Sequence, residues 1–216
     1  MTQNQLCMKY YILMADIIAS SEKNQIELMN NFKELVSEIN KTFKDEILSP
    51  LTITLGDEFQ CVLKDLKSST DIILQLEENI IHKKLNFKLR YVLNQGSIET
   101  PINELIAYEM LGTGLTDARY KLNLLKAEKH RFIISIDNNF KNDLLKDAFI
   151  VFENIIDKWS MVNEFEIVSN FIKFKDYKMV SKIMGKTRSQ LWKREKTLNI
   201  ESYNSIKNII ILISKS

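Results

Sequence analysis

TLGDEFQ, residues 54–60, puts one of the chain's five glycines directly before two carboxylates, Asp57 and Glu58. The apolar, β-prone runs LTITL (51–55) and FQCVL (59–63) flank it. Glycine accepts a positive φ and aspartate tolerates turn conformations, so the string predicts a tight hairpin between two short strands. Upstream, QIELMNNFKELVSEINKTF spaces Ile26, Leu28, Met29, Phe32, Leu35, Val36, Ile39 and Phe43 for one helix face. Before that, MKYYILMADII runs from Met8 as a buried strand ending near Asp16, with Ser20 and Ser21 placed to cap the helix. Downstream, SSTDIILQLEENII reads as a capped helix and FKLRYVLNQGSI (87–98) as a further strand.

The order strand, helix, strand, strand, helix, strand predicts an α+β, ferredoxin-like antiparallel sheet with helices on one face. In that arrangement the end of the first strand and the central hairpin lie side by side, so Asp16 and Asp57 are expected to converge. GTGLTDARYKLNLLKAEKH then reads as a glycine-led helix, RFIISI as a strand, and NNFKNDLLKDAFIVFENIIDKW and VNEFEIVSNFIKF as helices. A boundary near Trp159 divides residues 1–158 from a C-terminal all-α domain at 159–216.

Composition sets limits on function. The 216 residues are 45% hydrophobic and 27% charged, the balance of a soluble globular protein. No apolar run is long enough to span a bilayer, and the N-terminal MTQNQLCMKYYILMAD lacks the basic start of a signal peptide. No membrane association is expected, and the expected location is the cytoplasm. Cys7 and Cys61 have neither CxxC spacing nor a disulfide framework and read as buried small hydrophobes, while His82 and His130 read as surface residues. The net charge of +2 hides an asymmetry: residues 173–216 carry +8 and the rest −6. A compact basic segment on an acidic protein points toward nucleic acid.

Within that segment, YKMVSKIMGKTRSQLWKREKTLN has helix-turn-helix spacing. Val180, Ile183, Met184 and Leu191 supply the apolar face, Gly185 makes the turn, and Thr187 caps a second helix. Ser189, Arg188, Gln190, Lys193 and Arg194 on that helix are the candidate base readers, with Lys182 and Lys186 on phosphates. SYNSIKNIIILIS is expected to complete the bundle. A basic three-helix bundle that serves only protein contacts is the plainer alternative.

Two carboxylates on adjacent strand ends suit Mg²⁺ or Mn²⁺, which combine a few carboxylate oxygens with substrate phosphates. The loop after Asp16, with Ile17, Ile18, Ala19, Ser20 and Ser21, offers N–H groups and hydroxyls to a nucleotide's phosphates. Taken singly, Asp16 is also a plausible helix cap and Gly56-Asp57 a plain turn.

ADIIASS (15–21), TLGDEF (54–59), LRYVLNQGSI (89–98) and GTGLTDARYKL (112–122) resemble, in order and spacing, four landmarks of class III nucleotidyl cyclases. GDEF also resembles the GGDEF cyclases, and with its basic tail the whole chain is similar to the bacterial SatD family. The resemblance implies a palm-like fold, metal on Asp16 and Asp57, a nucleoside triphosphate ligand and a homodimer. It also places catalytic residues on the helix that starts at Gly112. There Thr116 stands in place of an asparagine and Arg119 falls one residue early, so weak or no cyclisation is expected. Three functions stay open: a nucleotide-sensing, DNA-binding regulator; an active cyclase or nucleotidyltransferase; and a degenerate cyclase fold that dimerises a DNA-binding module.

Overall fold

Gly56 adopts φ +83° in the hairpin that joins strand β2 (Ile47–Ile53) to β3 (Glu58–Leu63). The loop is four residues long, and Thr54 N–H donates to the Glu58 carbonyl at 2.9 Å. The computed structural model describes residues 8–18 and 24–215. Around the hairpin stand β1 (Lys9–Ile17), α1 (Gln25–Thr42), α2 (Leu66–His82) and β4 (Leu89–Ser97). They are followed by α3 (Thr113–Leu125), β5 (Phe132–Ser135), α4 (Asn139–Ile156) and α5 (Phe165–Phe174). The last three elements are α6 (Tyr177–Met184), α7 (Arg188–Thr197) and α8 (Ile200–Lys215). The helix after β1 is capped by Asn24, whose side chain accepts from the N–H groups of Ile26 and Glu27. Ser20 and Ser21, the expected caps, lie outside the described residues.

The sheet runs β2-β3-β1-β4-β5. Its first four strands are antiparallel neighbours in the order a βαββαβ chain dictates, and β5 adds a parallel edge to β4, making an α+β fold with a mixed sheet. The crossover from β4 to β5 is α3, which lies on the face opposite α1 and α2. This departs from the expectation of helices on one face only, and it explains why β1 is apolar without alternation. One face presents Leu13, Ala15, Phe59, Cys61, Tyr91 and Leu93 to α1, α2 and α4. The other presents Ile12, Met14, Val62 and Val92 to Leu115, Ala118 and Leu122 of α3 and to the segment before it.

The first of these cores continues without a break through Trp159 to Val168, Val180, Leu191, Tyr203 and Ile210. The Trp159 indole N–H donates to the Leu198 carbonyl at 3.0 Å, and the Tyr203 hydroxyl donates to Glu78 of α2 at 2.8 Å. Helix α8 therefore packs on α2 and α4 as well as on its own bundle. Cys61 is fully buried, and burial pushes its thiol pKa up. No described helix is long and apolar enough to cross a membrane.

Candidate functional site

Strand register builds the site. Asp16 pairs across β1–β3 with Glu58 and across β1–β4 with Arg90, so all three side chains share the α3 face of the sheet. Asp16 and Glu58 are each 3% exposed. Arg90 Nη1 lies 3.2 and 3.4 Å from the two Asp16 oxygens. From the overlying helix, Arg119 pairs with Glu58 Oε2, and Lys126, at the C-cap of α3, donates to Glu58 Oε1 at 2.9 Å. The Lys126 ammonium is also 3.7 Å from Asp16 Oδ2. Asp57 joins through its backbone, its carbonyl accepting from Ile17 N–H at 2.9 Å, and its charge acts on Lys126.

The two buried acids are held differently. Burial pushes Asp16 up from the ordinary aspartate range, and the charges of Arg90 and Lys126 offset this only in part. Burial also acts to raise Glu58, but hydrogen bonds from Lys126 and Arg119 and their charges outweigh it and hold the carboxyl below its usual range. A depressed folded-state pKa contributes stability that is full above the unfolded-state value and is lost as pH falls through the folded one. Glu58→Gln is therefore expected to lose about 1–3 kcal/mol at neutral pH. Parent and variant should converge in acid, where Glu58 is protonated in both folded and unfolded chains. Denaturant melts across pH check this, and an equal deficit at all pH values would reject it.

The residues expected to bind a nucleotide are placed as follows. Ile17 N–H is committed to Asp57 and Ile18 N–H to the Lys88 carbonyl at 2.9 Å, so neither faces a phosphate. Ala19, Ser20 and Ser21 lie outside the described residues. Thr116 is exposed, and its hydroxyl donates to the Gly112 carbonyl one turn back at 3.3 Å. Arg119 reaches the acid site.

A shared divalent ion would need carboxylate oxygens turned to a common point at about 2 Å. Both Asp16 oxygens and both Glu58 oxygens already accept from cationic side chains. Among the described residues, no three His, Cys, Asp or Glu side chains are grouped to hold a metal. As arranged, the donor set does not fit a divalent cation unless Lys126 leaves. Glu58, next to the expected second acid Asp57, is the residue that faces Asp16 directly, and Lys126 has no signal of its own in the sequence.

In the basic segment, α6 ends at Gly185, whose φ of +61° makes the turn, and α7 begins with a complete capping box. Thr187 Oγ1 accepts from Gln190 N–H at 3.2 Å, and Gln190 Oε1 accepts from Thr187 N–H at 3.0 Å. The Gln190 carbonyl oxygen is thus spent on the cap, and Arg194 is tied to Glu164 at 3.1 Å. Of the residues expected to face DNA, Gln190 and Arg194 are thus already bonded within the protein. Lys182, Lys186, Arg188, Ser189 and Lys193 are exposed, Val180 and Leu191 are fully buried, and Ile183, expected to be packed, is 49% exposed.

The family model described as SatD matches residues 10–211. Among solved structures the chain is similar to a bacterial light-regulated adenylyl cyclase, at 16% identity over 58% of this chain and 74% of that one, with a TM-score of 0.40. It is similar to the dimeric guanylyl cyclase domain of the RhoGC fusion protein from the aquatic fungus Blastocladiella emersonii, at 15% identity over 53% and 73%, with a TM-score of 0.39. For the guanylyl cyclase Cya2 the values are 8%, 54%, 70% and 0.36. No curated protein matches.

Proposed function

The chain belongs to the SatD family, and from that premise we propose that it is a cytoplasmic DNA-binding regulator whose cyclase-like sheet senses a nucleotide and has weak or no catalytic activity. The observation that carries this reading is the α6–α7 unit. Its inner face is closed by Val180 and Leu191, and its outer face offers Lys182, Lys186, Arg188, Ser189 and Lys193 to solvent. Those charges suit phosphates and base edges. Functionally, residues 1–158 form the sensing part and 159–216 the DNA-binding part. The Glu78–Tyr203 bond and the shared apolar core give a ligand on the sheet a physical route to α8 and its bundle. A ligand alters DNA binding only if it prefers one arrangement of these parts.

Two other readings use the same parts. A homodimer is supported by exposed Leu105, Tyr108, Leu111, Tyr120 and Leu124 on α3 and the segment before it. In that reading the sheet domain pairs two helix-turn-helix units for a two-fold site. An active cyclase or nucleotidyltransferase with Mg²⁺ or Mn²⁺ on Asp16 and Asp57 would require Lys126 to move away from Glu58.

The test is a salt titration of the full chain against genomic and random duplexes. Affinity should fall with a log-log slope of about −0.9 per phosphate neutralised. Lys186→Ala should make that slope shallower by about 1 without changing sequence preference, and Arg188→Ala should relax preference at one base pair by about 1–3 kcal/mol. Two chains per duplex support the dimer. Weak, sequence-blind attraction alone would remove the regulator's output, and α6–α8 would then be a protein-contact bundle.

A further inference from the structure

Among the described residues, Lys126 and Lys207 are the paired lysines that meet a buried acid, and Lys126 meets two where Lys207 meets Glu78 alone. In the pairs Lys9–Asp137, Lys83–Glu34 and Lys84–Glu166, the acid is largely exposed. Lys126 instead reaches down to two carboxylates whose side chains are only 4–5% exposed and which face each other across adjacent strands. Its backbone is fixed as well. The Lys126 N–H bonds to the Asn123 and Leu124 carbonyls at the end of α3, and α3 is seated on the sheet by the contact of Gly114 with Gly96. We propose that the resident cation of this acid cluster is the Lys126 ammonium, held where a divalent ion shared between Asp16 and the hairpin acids would sit, so that the site is built to work without a metal.

Charge and coordination support the assignment. Asp16, Asp57 and Glu58 contribute three negative charges at the site, and Arg90, Arg119 and Lys126 contribute three positive ones. A divalent ion entering a balanced cluster meets no excess of negative charge, and it must also replace hydrogen bonds already made to both oxygens of each buried acid. An ammonium neutralises carboxylates through directed N–H bonds, but it does not coordinate a water or hydroxyl and lower its pKa as a bound metal ion does. The cluster therefore fastens α3 to β1 and β3 and offers no metal-activated oxygen. This assignment does not depend on whether α6–α7 binds DNA.

Mn²⁺ binding followed by electron paramagnetic resonance tests it, using the full chain, Lys126→Met and the double variant Lys126→Met/Asp16→Asn. The parent is expected to leave millimolar Mn²⁺ free. Lys126→Met should open the acids and gain roughly 10- to 100-fold in affinity, the scale of a change in a metal's ligand surroundings. The double variant should lose that gain. Binding by the parent that disappears in Asp16→Asn would overturn the assignment, as would a folded Lys126→Met that binds no better than the parent. If Lys126→Met does not fold, competitive acetylation of the unmodified chain still decides: Lys126 should react several-fold more slowly than Lys129 whether or not Mn²⁺ is present. Mn²⁺ that makes Lys126 as reactive as Lys129 would show the lysine yielding to a metal and would reject the proposal.

Discussion

Arg131→Met is expected to cost about 3–5 kcal/mol of folding stability, the penalty for removing one partner of a buried ion pair. The Arg131 side chain is 4% exposed and meets Glu77 through two parallel bonds, at 2.9 Å to Oε1 and 2.8 Å to Oε2. It also donates to the Leu89 carbonyl at 2.9 Å and to Asp157 at 2.9–3.0 Å. Tyr91 donates to the same Glu77 at 2.7 Å, and burial pushes its phenol pKa well up. Without the guanidinium, Glu77 stays in the core with a phenol as its remaining donor, which is why the loss should far exceed the roughly 0–1 kcal/mol of a surface pair. Thermal melts should show it at about 2–4 °C per kcal/mol for a chain of this size. Glu77→Met/Arg131→Met should recover much of the loss, because no unpaired charge is left behind. A single variant within about 1 kcal/mol of the parent would mean that water or rearrangement already compensates the pair. The position also matters for communication. Glu77 turns toward the sheet, while its neighbour Glu78 turns toward Tyr203 and Lys207 of α8, so one turn of α2 is bonded on both sides.

What was legible in the sequence is what depends on local chemistry. Gly56 before Asp57 marked the hairpin because only a positive φ closes that turn comfortably, and the structure gives it +83°. The capping pattern Thr187 to Gln190 and the left-handed Gly185 marked the α6–α7 turn for the same reason. Asp16 was found because an acid ends an apolar run. Glu58 was passed over in favour of Asp57, since choosing between adjacent acids requires the register, and the pairing that opposes Glu58 to Asp16 is between β1 and β3, which no turn joins directly. Lys126 was beyond reach. A residue at a helix C-cap lands where the length and crossing of the helix carry it, and both are set by packing on the sheet. The side taken by α3 had a faint signal in Gly96, Gly112 and Gly114, which look like punctuation until the strand and helix are seen to touch. The spent carbonyl of Gln190 was implicit in its own motif, since a residue that completes a capping box has less to offer a base.

Gly114→Ala sets two effects against each other, and their magnitudes decide the sign. Alanine is the better helix former by about 0.8–1.0 kcal/mol, so propensity alone predicts stabilisation in the first turn of α3. The added methyl, however, would stand 2.5 Å from the Gly96 carbonyl carbon and 2.7 Å from its Cα and from Ser97 N, all of them backbone atoms. No rotamer relieves that contact, so the helix must lift from β4. Overpacking of this kind costs about 1–3 kcal/mol and at times more, which outweighs the propensity gain. Lifting α3 also draws Leu115, Ala118 and Leu122 from the second core and pulls Arg119 and Lys126 away from Glu58 and Asp16. The variant should therefore be less stable than the parent and should release Lys126, already 43% exposed, from its ion pairs, so that it is acetylated at the rate of an unpaired lysine. Gly185→Ala is the control, because nothing lies within 4 Å of the Cβ it would add and its φ of +61° confines the cost to local strain of about 1 kcal/mol. If Gly114→Ala melts with the parent and keeps Lys126 protected, the close approach of Gly96 and Gly114 does not hold α3 on the sheet, and the acid cluster must owe its geometry to the ion pairs themselves.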